Sequence, residues 1–97
     1  MISVPDRELA AFCRRNYIRK LSFFGSVLRD SFTADSDVDV LVEFEPGHVP
    51  GLALIRMQDE LSRMLGGREV YLVTPKFLNT RIRERVEQEA LVQYVQG

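Results

Sequence analysis

Residues 37–44, Asp-Val-Asp-Val-Leu-Val-Glu-Phe, alternate so strictly that they leave the chain little conformational choice. Val38, Val40, Val42 and Phe44 fall on one side of a strand, and Asp37, Asp39, Leu41 and Glu43 fall on the other. The valine side belongs in a core, so the carboxylate side needs an explanation of its own. Asp37 and Asp39 stand roughly 7 Å apart along one face. Two carboxylates that close repel each other unless a cation, an arginine or a proton intervenes. Magnesium suits such a pair, because it takes hard oxygen ligands and fills its remaining positions with water and phosphate oxygens. A solvent-facing acidic strand would present the same D-x-D, so the pair alone does not decide between the two.

The segments around this strand alternate in type. Residues 3–17 read as a helix, with Ser3 as its cap, Asp6 at capping-box spacing, Pro5 in the first turn, and Leu9, Phe12, Cys13 and Tyr17 at helical period. Residues 18–25 read as a strand ended by Gly25, and 27–36 as one helical turn and a loop. The Pro/Gly-rich stretch 45–51 is a loop. It precedes an amphipathic helix with Leu54, Ile55, Leu61 and Leu65 inward, closed by Gly66 and Gly67. Residues 68–75 form a third strand stopped by Pro75. Residues 76–89 form a helix with Leu78, Ile82 and Val86 as its apolar side, and 90–95 a short edge strand. This order predicts an α+β (mixed α/β) domain, a small mixed β-sheet with helices packed mainly on one face.

At 97 residues the chain is expected to form one domain over 1–97 with a single core. Its formal charge of -1 provides no general attraction for nucleic acid or anionic membrane, so neither is expected as a direct ligand. The lone Cys13 excludes an intramolecular disulfide and points to a reducing cytoplasm. The N-terminus lacks a signal-peptide pattern, and no apolar run approaches membrane-spanning length. His48, in the Pro/Gly loop, reads as a mobile surface side chain. The interleaved charges around Arg81, Arg83 and Arg85 read as a solvated face.

Gly25 and Ser26 change the weight of the acidic strand. A glycine ending one strand lets a phosphate approach the backbone, and a serine opening a helix adds a hydroxyl to the free N–H groups there. Strand-Gly-Ser-helix followed by D-x-D is a polyphosphate cradle beside a metal platform. Gly25-Ser26, ten further residues, then Asp37-Val38-Asp39 resembles the G-S-x10-D-x-D signature of the DNA polymerase β-like nucleotidyltransferase superfamily. The small size, Gly67–Pro75 and the C-terminal segment resemble its minimal nucleotidyltransferase (MNT) members.

The resemblance implies a nucleotidyltransferase fold. It further implies ATP with its phosphates over Gly25 and Ser26, contacts from Arg29 and Ser36, and Mg2+ held by Asp37 and Asp39. The reaction would move a nucleoside monophosphate to a hydroxyl on a partner protein. By the same resemblance the chain is the antitoxin of a HEPN/MNT pair, with a HEPN-type toxin as partner; homo- or hetero-oligomer formation is left open. One position departs from the pattern. The third carboxylate expected on a neighbouring strand is replaced by Tyr71, and Glu69, two residues earlier on the same face, is the available substitute. Tyrosine, with an ordinary pKa near 10, does not replace a carboxylate simply. Two readings therefore stand: an adenylyltransferase using Asp37, Asp39 and Glu69, and a catalytically degenerate module that regulates its partner by docking.

Overall fold

The computed structural model describes residues 6–25, 37–48 and 50–96. Its elements in chain order are α1 (Asp6–Arg15), β1 (Ile18–Phe24), β2 (Val38–Phe44), α2 (Ala53–Met64), β3 (Val70–Val73), a 3-10 turn (Pro75–Phe77), α3 (Thr80–Glu89) and β4 (Leu91–Val95). Ser3 and Pro5, read as a cap and first turn, and the 27–36 segment, read as a turn and loop, lie outside the described residues.

The strands form one mixed sheet in the order β3-β2-β1-β4. β1 pairs antiparallel with both β2 and β4, whereas β2 and β3 are parallel. A parallel neighbour requires a crossover, and α2 supplies it. A bulge at Arg19 shifts the β1–β2 register, and the Arg19 guanidinium donates to Glu43 across the strands at 3.3 Å.

The alternation in β2 is resolved as the sequence requires. Val38, Val40 and Val42 are fully buried, facing the same side as Leu21, Phe23, Val70 and Leu72. Helices α1 and α2 cover that side with Leu9, Phe12 and Cys13 from one and Met57 and Leu61 from the other. Burial pushes the Cys13 thiol up to about 12, so it behaves as a small apolar group. On the opposite face Ser22 and Leu41 are also buried. They share a cleft of about 240 Å3 with Lys20, Val92 and, at the end of α3, Glu87 and Ala90.

Three side chains differ from the sequence expectation. Tyr17 is not a core residue of the first helix. That helix stops at Arg15, and Tyr17 takes a left-handed conformation (φ 57°) that turns it outward, stacked on His48 with ring centroids 3.9 Å apart. His48 is exposed but held against this ring rather than loose. On α2 the inward position expected for Ile55 goes instead to Met57, leaving Ile55 60% exposed. The C-terminal helix is shorter than expected because Pro75 starts a separate 3-10 turn. Asn79 then caps α3, its side-chain oxygen accepting from the Ile82 N–H at 3.0 Å. Ile82 is half exposed, and α3 has no fully buried residue.

Because α3 has so little buried apolar surface, its cap matters. Asn79→Ala is expected to cost about 1 kcal/mol, a fall in Tm of roughly 4–8 °C for a domain of this size. Thermal denaturation followed by circular dichroism checks this.

Candidate functional site

The last residue of β1 and the first residues of β2 meet at one end of the sheet. Phe24 pairs with Asp39, and Gly25 follows immediately with φ 75°, where a side chain is strained. A Cβ built at Gly25 would enter the van der Waals envelope of the Asp39 carboxylate and lie 3.3 Å from its Cγ. Glycine is therefore needed twice, for the backbone turn and for the space beside the acid. Gly25→Ala is expected to cost roughly 1–2 kcal/mol in urea denaturation, from the left-handed backbone alone.

β3 completes the site from the other side. Asp39 lies opposite Tyr71 in the parallel register, and the Glu69 carbonyl accepts from Val38 N–H at 2.9 Å, fixing the start of β3 beside the D-x-D segment. Tyr71 is 43% exposed, and its hydroxyl donates to Glu69 Oε1 at 3.0 Å. The polar end of the ring is thus turned along its own strand, toward Glu69. The phenol is raised from its ordinary value, first by the hydrogen bond to Glu69, then by the charges of Glu69 and Asp37. It is a neutral hydroxyl at physiological pH.

Asp37 is exposed and Asp39 half-buried. Burial, and then the Asp37 charge, raise the Asp39 carboxyl above its usual range. Protonation of Asp39 favours the folded chain below the unfolded value of 3.8, and that contribution is lost as pH rises through the raised folded value. At neutral pH the ionised Asp39 is thus a stability cost in the metal-free chain. Asp39→Asn is expected to raise Tm by a few degrees at pH 7 in the presence of a chelator. The gain should vanish on acidification below the ordinary aspartate range.

A half-buried carboxylate seated in the space a Gly25 side chain would fill, with a second carboxylate two residues away on the same strand, fits a divalent cation. Among the described residues no group of three or more His, Cys, Asp or Glu side chains forms a metal site. Water or substrate oxygens would supply the remaining ligands. Of the residues singled out in the sequence, Gly25, Asp37, Asp39 and Glu69 come to one end of the sheet. Ser26, Arg29 and Ser36 lie outside the described residues.

The sheet order, the glycine turn and the acidic strand agree with the nucleotidyltransferase fold expected from the sequence. The family model described as a nucleotidyltransferase domain matches residues 6–92. The chain is 32% identical over 90 residues to a candidate protein adenylyltransferase from Methanocaldococcus jannaschii, covering 93% of this chain and 95% of that one. It is 37% identical over 75 residues to protein adenylyltransferase MntA from Thermococcus cleftensis, covering 76% and 73%. Among solved structures, a candidate minimal nucleotidyltransferase superposes with a TM-score of 0.73 at 36% identity, covering 89% of this chain and 86% of that one. A toxin–antitoxin complex with AMP-PNP gives a TM-score of 0.75 over 96% of this chain and 75% of its own, at 18% identity, and so bears on the fold alone. The chain belongs to the nucleotidyltransferase domain family, with an MNT-type domain. Among the described residues no helix is long and apolar enough to cross a membrane.

Proposed function

We propose that the chain is a magnesium-dependent protein adenylyltransferase that moves AMP from ATP to a hydroxyl on a partner protein. We further propose that it acts in the cytoplasm as the antitoxin of a toxin–antitoxin pair with a HEPN-type partner. The observation that carries the reading is the Asp39 carboxylate set against the Cβ-free face of Gly25, with Asp37 two residues away. Support for the partner comes from relatives named as protein adenylyltransferases, among them MntA, and from the fold shared with MntA–HepT complexes.

Asp37 and Asp39 hold the cation, and Gly25 with Ser26 receives the phosphates. When bound, the cation neutralises charge developing on the departing pyrophosphate. The acceptor oxygen attacks the α-phosphorus, the bond to the β-phosphate oxygen breaks, and Glu69 takes the acceptor proton. Reactions of this kind depend mainly on positioning and electrostatics, so a small set of residues suffices.

Tyr71, in place of the third carboxylate, favours a second reading in which the domain docks on its partner without transfer. Incubating the chain and its co-encoded neighbour with α-labelled ATP and magnesium separates the two. Label on the neighbour that disappears with chelator supports the enzyme. A stable complex without label supports docking.

A further inference from the structure

The residue that departs from the expected pattern itself carries a hydroxyl, on the strand beside Asp39. Tyr71 shares a face and a register position with Asp39, is 43% exposed, and its hydroxyl already donates a hydrogen bond to Glu69 Oε1 at 3.0 Å. A nucleotide held by Asp37 and Asp39 would therefore have a built-in acceptor beside its phosphates, with a base attached. Tyr17 and Tyr94 have no such placement. Tyr17 precedes β1 and lies at the opposite end of the sheet, roughly 20 Å along the strand. Tyr94 is half-buried against the core.

We propose that Tyr71 is a self-modification site: the chain adenylylates its own Tyr71 in cis. This rests on the adenylyltransferase reading above. The Tyr71 Oη attacks the α-phosphorus of ATP and an Oη–Pα bond forms. The bond from Pα to the bridging oxygen of the β-phosphate breaks, and pyrophosphate leaves with that electron pair. The phenolic proton passes to Glu69. No oxidant or second substrate is needed. The product carries AMP on β3 over the acidic face, where it blocks a second nucleotide, so the modified chain is switched off until the AMP is removed. Proximity favours this route, because the acceptor is held beside the donor without a bimolecular encounter.

The test uses the full chain with α-labelled ATP and magnesium and no partner protein, followed by denaturing electrophoresis and peptide mapping by mass spectrometry. The expected result is one AMP on Tyr71, formed at a rate per chain that does not change with protein concentration. Tyr71→Phe should abolish the label, Tyr17→Phe should retain it, and Glu69→Gln should slow labelling roughly 100-fold. Mapping on the unsubstituted chain needs no variant to fold. Label on a different residue, or a rate proportional to protein concentration, overturns the proposal. A chain that labels its partner while its own Tyr71 stays unmodified overturns self-modification alone and leaves the adenylyltransferase reading standing. A chain that neither binds Mg-ATP nor transfers AMP overturns both.

Discussion

Asp39→Asn is expected to lower the rate of AMP transfer by roughly 10^3-fold, equivalent to about 4 kcal/mol of lost transition-state stabilisation. The substitution is nearly isosteric, so the pairing of Asp39 with Phe24 and Tyr71 and the fit beside Gly25 should survive. What disappears is the negative charge that attracts the cation. The same change should make the metal-free chain slightly more stable, since it removes a carboxylate that burial and Asp37 both penalise. Opposite signs in the two experiments are diagnostic. A structural role for Asp39 would lose stability and activity together, whereas a functional role loses activity and gains stability. Single-turnover transfer rates and thermal melts on the same preparation check this.

The second large effect lies in the core. Phe12→Ala is expected to destabilise the chain by about 3–5 kcal/mol. Phe12 is fully buried on α1 within the cluster that includes Leu9, Leu21 and Phe23. A domain of this length has a total stability on the order of 5–15 kcal/mol, so the variant would sit near its unfolding threshold. Urea denaturation should show a much lower midpoint with an unchanged slope. The functional consequence is indirect but definite. Phe23, which shares this cluster, immediately precedes the Phe24–Asp39 pair and the Gly25 turn. Loosening the core therefore loosens the end of β1 against which Asp39 is set.

Much of this arrangement was legible in the sequence because strand alternation is strong wherever one face must be buried. The β2 pattern placed Val38, Val40 and Val42 in the core and Asp39 on the other side, and the structure agrees. The C-terminal edge strand forms where the sequence places it, although none of its residues is fully buried. Helix faces were harder to read. Ile55 and Met57 are both apolar and lie near the start of α2, but Met57 falls on the stripe of Leu54, Leu61 and Leu65, whereas Ile55 is turned about 100° away from it. Tyr17 fitted the helical period, but its left-handed backbone at the turn into β1 is a tertiary choice that no spacing reveals. For the candidate site, Gly25 and the two aspartates were identifiable from the residue types their chemistry requires. The bond between Tyr71 and Glu69 was not, because a shared strand face allows it without requiring it.

Calorimetric titration of a non-hydrolysable ATP analogue into the chain, with and without magnesium, tests the central claim most directly. The account predicts binding that requires magnesium and weakens at least about 100-fold in Asp39→Asn, a loss of roughly 2.7 kcal/mol. Binding that is indifferent to magnesium, or unchanged when Asp39 becomes Asn, would contradict it.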